Sequence, residues 1–280
     1  MTTVSYKTGV IEATPNAYAF IQETCATNAA FIVSDEGVLG IDSLMTPTLA
    51  GKLYAAIRNV TTAPIRYLIN THFHGDHVFG NQYFLPAPSV AHENCRTKLI
   101  EKFDANMQRY RGRTELIPEL DQIRMTLPDV TFQDKMTIRL GDREIELSFL
   151  GRAHSNSDIL TYLPGDKVLF VGDIAVHKTH PAFPDGHITK WLKVIDKTAK
   201  VDAEIVVPGH GPVGGKAEFD EARELLQILN REIRKGYDEG LPEEETAKRV
   251  NVGKFSGFAN QERGGQITQM AYLAYKGELQ

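Results

Sequence analysis

Three histidines and an aspartate fall within six positions in the run Thr71-His-Phe-His-Gly-Asp-His77. No other feature constrains the chain as much. Packing alone does not account for such a cluster, because buried polar and ionisable groups are costly without partners. The run follows an apolar, strand-like stretch, Ile65-Arg-Tyr-Leu-Ile-Asn70. His72 and His74 are two apart, so in extended backbone they point the same way. Gly75 then turns the chain and brings Asp76 and His77 to the same place. Imidazole and carboxylate are ligands that a borderline metal such as zinc accepts, and mixed nitrogen–oxygen sets without thiolate suit catalytic sites.

Three further residues of the same chemical type end apolar runs elsewhere. His154 lies in the polar turn Gly151-Arg-Ala-His-Ser-Asn-Ser-Asp158, Asp173 ends Val168-Leu-Phe-Val-Gly-Asp173, and His210 ends Ile205-Val-Val-Pro-Gly-His210. Metal-type residues at the tips of separate strands are an arrangement that a rigid scaffold offers to an enzyme centre.

Taken in order, these residues resemble the signature of the metallo-β-lactamase-fold hydrolases: a His-x-His-x-Asp-His loop, a later His, an Asp at a strand end and a His after Pro-Gly. The resemblance covers roughly residues 17–215. It implies an α/β fold, a four-layer αββα sandwich, with a dinuclear site on one edge. By that resemblance His72, His74 and His154 hold one metal, Asp76, His77 and His210 hold the other, and Asp173 bridges both. The metals implied are two Zn2+, with iron or manganese as substitutes. Asp173 stands where some β-lactamases of this fold carry Cys. In this the chain is more similar to the glyoxalase II, lactonase and esterase branches. The segment Phe79-Gly-Asn-Gln-Tyr-Phe84 also resembles polyketide cyclase and thioesterase-like relatives.

Composition limits the alternatives. A chain of 280 residues with 42% hydrophobic and 24% charged residues can bury a sizeable core. Its formal net charge is −5, and its basic residues are scattered, so no electrostatic footprint for nucleic acid is expected. The densest basic cluster, Arg109 to Arg113, reads as a solvated helix end. No run approaches the ~20 apolar residues of a membrane span. The start, Met1-Thr-Thr-Val-Ser-Tyr-Lys7, lacks the features of a signal peptide. A cytoplasmic location is therefore expected, with Cys25 and Cys95 as reduced thiols.

Periodicity reads the whole chain, residues 1–280, as one domain. Strands are expected at 17–21, 28–33 and 37–42, with Asp35-Glu-Gly37 turning the last two into a hairpin. A helix is expected over 47–60, with Leu49, Leu53, Ala56 and Ile57 on one face. Residues 93–124 read as an interrupted helical excursion over the site, with Met107, Tyr110, Leu116 and Ile117 apolar and a break at Pro118. Strands follow at 130–132, 136–140, 144–149, 158–162 and 167–171, with turns at Gly141-Asp142 and Pro164-Gly-Asp166. From about residue 216 the chain turns helical, with segments near 218–237, 242–250 and 266–276.

The chemistry expected is hydrolysis of an ester, thioester or lactone by a metal-bridging hydroxide, since zinc can bring a bound water from a pKa of ~15.7 to ~7. Asp76 and Asp173 are the catalytic candidates, the substrate expected is a small acyl compound, and the oligomeric state is left open. Ser155 and Ser157 lie outside any Gly-x-Ser-x-Gly elbow and read as loop hydrogen-bonders. Asp42 reads as either a support for the metal edge or a cap for the following helix; Asp158 reads as either a partner of His154 or a solvated strand end. His92 reads as structural, His177 and His180 as solvated residues or pocket wall, His187 as a solvated loop residue and Trp191 as core. Alternatives kept open are β-lactamase activity, a cyclase or thioesterase role, a phosphodiesterase or nuclease, a diiron redox protein and a metal-free binding protein.

Overall fold

The computed structural model describes residues 6–112 and 117–279. Its first sheet contains seven strands in chain order: β1 (Gly9–Thr14), β2 (Ala17–Ile21), β3 (Ala29–Ser34), β4 (Gly37–Ile41), β5 (Ile65–Ile69), β6 (Ser89–His92) and β7 (Val130–Phe132). Neighbours from β1 to β4 are antiparallel, and those from β4 to β7 are parallel. The second sheet comprises β8 (Lys135–Leu140), β9 (Arg143–Phe149), β10 (Ile159–Leu163), β11 (Val168–Gly172) and β12 (Ile205–Pro208), in the order β12-β11-β10-β9-β8.

Period-2 alternation decides what each sheet buries. Ala30, Ile32, Leu39, Ile41, Ile69 and Val90 of the first sheet meet Ile145, Leu147, Ile159, Val168, Phe170 and Val207 of the second. The intervening residues face outward under helices. Phe31, Val38 and Leu68 pack against Ala50, Leu53 and Ile57 of α1 (Pro47–Val60). Beyond α1 come the one-turn α2 (Gly75–Val78), then α3 (Glu93–Arg111) and the short α4 (Ile117–Leu120). On the other side Leu160, Leu169, Val171 and Val206 lie under α5 (Ile188–Thr198), α6 (Lys216–Asp238) and α8 (Gly264–Lys276), with α7 (Glu243–Arg249) packed on α6 and α8. The result is the αββα sandwich. No helix among the described residues is long and apolar enough to cross a membrane.

Three local features refine the sequence reading. The edge strand β1 has no buried residue and lies outside the strands expected from the sequence. The interruption expected within 93–124 is present, since α3 ends at Arg111 and Pro118 belongs to the next helix, α4. Pro118 occupies the first turn of α4, where its missing N–H costs nothing. Asp42 does not cap α1; Thr46 does, accepting from Leu49 N at 3.3 Å. Leu116 lies outside the described residues.

Candidate metal centre

All the expected ligands sit at one edge of the sandwich, just past strand ends. β5 runs through Asn70 and Thr71 into His72 and His74, and α2 then turns Asp76 and His77 inward. Asp173 follows β11, and His210 follows β12. Two glycines allow this crowding. A Cβ on Gly209 would sit 2.0 Å from Asp173 Oδ1. Gly172 has φ +48 and lies against the Thr71 side chain, so a side chain there would be both strained and blocked.

Two groups of side chains result. In the first, His74 Nδ1 lies 3.0 Å from His72 Nε2 and 2.8 Å from His154 Nε2. In the second, Asp76 Oδ2 lies 3.7 Å from His77 Nε2 and 3.5 Å from His210 Nε2. Asp173 touches both groups: its Oδ1 is 3.4 Å from His77 Nε2, and its Oδ2 is 3.2 Å from His154 Nε2 and 3.4 Å from His210 Nε2. In each group of three the potential ligand atoms lie within 4.8 Å of one another. His77 Nε2 and Asp173 Oδ1 are buried with no hydrogen-bond partner. A cation between them would satisfy both, so the donor set fits a metal.

An outer ring fixes the tautomers, because a histidine that donates through one nitrogen presents the other as a ligand. His77 Nδ1 donates to Asp42 Oδ2 at 2.7 Å, and His210 Nδ1 to the Cys25 carbonyl at 3.0 Å. His74 Nε2 donates to Asp185 Oδ2 at 2.9 Å, while Lys102 holds the other Asp185 oxygen. Asp42 also accepts from Thr71 N and Oγ1, at 2.8 and 2.7 Å, which ties the start of the histidine loop to the end of β4. Asp76 accepts from Thr27 Oγ1 at 2.7 Å and from the Tyr110 hydroxyl at 2.9 Å.

Electrostatics divide the two groups. Burial, aided by neighbouring histidines, holds His72 well below the ordinary imidazole value. Burial also takes His154 down to about 3, despite the pull of Asp173. In the second group burial again opposes charge, but the carboxylates prevail. Asp173, Asp42 and Asp76 hold His77 well above its usual value, and Asp173 and Asp76 lift His210 to about 9. Asp76 and Asp173 are correspondingly well below the usual carboxylate range: burial would raise them, and the adjacent histidines outweigh it.

The remaining candidates sort by contact. Asp158 does not reach His154. It accepts from Ser155 N and Oγ at 2.7 and 2.8 Å, and burial raises it to about 6. Ser155 and Ser157 are therefore loop hydrogen-bonders. His92 ends β6, accepts from Asn94 N at the start of α3 and packs on Phe149. His177 and His180 are neither solvated nor on the pocket wall. Both are buried, bonded to the carbonyls of Pro212 and Phe255. His187 is also buried, at the start of α5. Trp191 is core: it stacks on Phe183, meets the His154 ring edge-on, and donates to Ile174 O at 2.8 Å.

Sequence reasoning missed Asp185, Thr27 and the Tyr110 hydroxyl. Tyr110 has helical spacing and was read as apolar only. Nothing local marks the other two. The metal-type residues open into a cleft of about 260 Å³ lined also by Arg109, Tyr110, Ala182, Pro184, Arg263 and Gln266. Arg109 is exposed in the last turn of α3, as read from the sequence, and also lines this cleft. Arg113 lies outside the described residues.

Comparison with known proteins identifies the family and the fold. The type 2 metallo-β-lactamase of Bacteroides fragilis is 23% identical over 212 residues, covering 74% of this chain and 76% of that protein. A linear primary-alkylsulfatase from Pseudomonas sp. (strain ATCC 19151) is 21% identical over 260 residues, covering 79% of this chain but 49% of that protein. Among solved structures, a metallo-β-lactamase from Pontibacter korlensis aligns with TM-score 0.66 at 21% identity, over 79% of this chain and 99% of its own. The stereoselective inverting sec-alkylsulfatase Pisa1 from Pseudomonas sp. aligns with TM-score 0.76 at 18% identity, over 96% of this chain and 50% of its own. The chain thus spans about half the length of the alkylsulfatases it matches. A family model described as the metallo-beta-lactamase superfamily matches residues 23–210, and the chain belongs to that superfamily of hydrolases.

Proposed function

We propose that this protein is a dinuclear zinc hydrolase of a small carboxylic acid derivative: an ester, thioester or lactone. The observation that carries the reading is Asp173, whose two oxygens face the two ligand groups from between them. His72, His74 and His154 would hold one ion, Asp76, His77 and His210 the other, with Asp173 shared. Such a pair supplies, when bound, an acidified water as nucleophile and a Lewis acid for the acyl oxygen. Iron or manganese would suit the same donors.

The chain's own residues prepare the site. Asp42, Asp185 and the Cys25 carbonyl orient three of the imidazoles. Tyr110 and Thr27 hold Asp76 so that its carboxylate keeps one direction. Ser155 is committed to Asp158, which argues against a serine nucleophile. We take the protein as cytoplasmic, a reading that its two free, buried cysteines support. The alkylsulfatase likeness, which extends over 96% of the chain, favours sulfate-ester hydrolysis as a second reading.

The test is metal analysis of zinc-loaded protein with a side-by-side assay of esters, thioesters, lactones, β-lactams, alkyl sulfates and phosphodiesters, in oxygen-18 water. About two ions per chain and preferred turnover of an acyl substrate are expected. A trapped acyl-enzyme, or a phosphodiester or sulfate ester turned over far better than every acyl compound, overturns the assignment.

A further inference from the structure

Helix α3 lies beside the metal-type residues and reaches both ligand groups. Near its C-terminal end the Tyr110 hydroxyl donates to Asp76 Oδ1 at 2.9 Å, in the second group. Two turns earlier, about 12 Å back along the helix axis, Lys102 Nζ donates to Asp185 Oδ1. The other oxygen of that carboxylate, Oδ2, accepts from His74 Nε2 at 2.9 Å, in the first group. Lys102 is thus one carboxylate away from a ligand histidine. It also touches the histidine loop directly: its Nζ stands 5.6 Å from the centre of the Phe73 ring, the residue between His72 and His74.

The setting of Asp185 makes this contact matter. Asp185 lies between β11 and α5, in residues 174–187, which form no helix or strand. Its carboxylate is therefore directed by its contacts and not by a regular element. Arg152 Nη2 donates to the Asp185 carbonyl at 3.0 Å and steadies the backbone. At the side chain, Lys102 and His74 take one oxygen each. The Asp185 side chain is 16% exposed and that of Lys102 is 40% exposed. An ion pair so open to water on its cationic side adds little to folding stability. Its effect is directional. With Oδ1 held by Lys102, Oδ2 stays turned toward His74, and the His74 Nε2–H stays bonded. That bond leaves His74 Nδ1 as the lone pair that faces His72 and His154. An ammonium carries donors only, so Asp185 answers it as an acceptor and accepts the His74 proton in the same way.

We propose that Lys102 is a positioning residue of the metal centre: through Asp185 it fixes the orientation of His74 and so sets how tightly the first ligand group takes its ion. This rests on the reading of these residues as a metal centre. It makes α3 a strap across the edge of the sandwich, with Lys102 steadying one group and Tyr110 the other. Lys102 acts through a carboxylate and does not reach the reacting atoms.

The experiment compares the parent with Lys102→Met, which keeps an apolar stem over Phe73 and removes the charge and the donors. Zinc alone is titrated against a chelator. Exchange of the His74 Nε2–H with water is read by nitrogen-15 NMR, in the full chain with and without zinc. Lys102→Met is expected to weaken one of the two ions about three- to tenfold, less than loss of Asp185 itself, and to speed the His74 exchange about tenfold. The melting temperature should move little, which separates positioning from a fold-wide effect. Lys102→Arg returns the charge and donors and restores both readouts. In an Asp185→Asn background, Lys102→Met changes zinc affinity no further, because the two residues act in series. Unchanged zinc affinity together with unchanged His74 exchange overturns the proposal. So does an equal weakening in the Asp185→Asn background, which assigns the effect to the charge of Lys102 acting through space. If no zinc binds but the His74 exchange still depends on Lys102, the metal reading fails and the positioning role stands.

Discussion

The two ligand groups sit side by side on one edge and differ in the state in which they would meet a metal. His72, His74 and His154 form an all-imidazole group, two of whose members burial holds below their ordinary values. Those two, His72 and His154, offer lone pairs without first losing a proton. His77 and His210 face Asp76 and Asp173, and the carboxylates hold them protonated, His210 up to about 9. There the cations of the protein occupy the place of an ion and must be discharged before one binds. Imidazoles a few ångströms apart would therefore meet a metal in different protonation states, according to whether carboxylates stand beside them.

The largest expected effect tests the element common to both groups. Asp173→Asn lowers kcat/KM by on the order of 10²–10³, because an amide cannot supply charge to two cations. The metal-free variant melts close to the metal-free parent. Parental turnover with two ions bound breaks the picture of a shared carboxylate.

The outer ring should separate the groups. Among the ligand histidines, Asp185 bonds directly to His74 of the first group and Asp42 to His77 of the second, with Asp42 reaching His72 only through Thr71. Asp185→Asn and Asp42→Asn are each expected to weaken one ion by roughly 10- to 100-fold and spare the other. Stoichiometric zinc titration against a chelator reads this directly. Equal loss of both ions in either variant means the groups are not separable.

Proton linkage sharpens the contrast. Between pH 6 and 9, His72 and His154 should add little pH dependence to the first ion's affinity. The second should tighten with rising pH, by up to about tenfold per unit for each proton released. The sign follows from His210: raised to about 9, it is protonated through most of that range and competes with the ion. Two parallel pH profiles refute the distinction.

Removing the phenol hydroxyl should matter less. Tyr110→Phe deletes one hydrogen bond to Asp76, worth about 0.5–1.5 kcal/mol, and kcat should fall a few-fold with the metal count unchanged. A drop beyond about a hundredfold would give Tyr110 a more direct part than holding Asp76.

The smallest effect lies outside both groups. His177 is buried and lowered to about 4, first by desolvation. Its folded value is below its unfolded one, so its contribution is present above about 6.5 and is lost as pH falls toward 4. His177→Asn keeps a donor for Pro212 O and removes that titration. Metal-free variant and parent should differ by on the order of 1–3 kcal/mol in how much stability they lose across this window, read by urea melts at each pH. Identical acid limbs show that His177 does not titrate there.

Most of the sandwich was legible in local pattern. The α1 helix runs from Pro47 to Val60 as its periodicity indicates, and the β3–β4 and β8–β9 hairpins turn where Gly and Asp mark them. The edge strand β1 was not legible, because an exposed strand needs no alternation. The residues of the candidate centre stood out because imidazoles and carboxylates at the ends of apolar runs have few other uses.

What the sequence by itself determined is therefore short-range: which segments extend or coil, and which residue types stand at the strand tips. Backbone sterics and apolar period act over a few residues, so they can be read there. Only the tertiary structure decided the rest. Asp185 reaches His74 across 111 positions, and the Cys25 carbonyl reaches His210 across 185. Arg263 comes to the cleft from the C-terminal helices, and His177, His180 and His187 are buried although no local pattern marks them as such. Burial and distance to charge set each group's protonation, and both are properties of the packed molecule with no counterpart in local sequence.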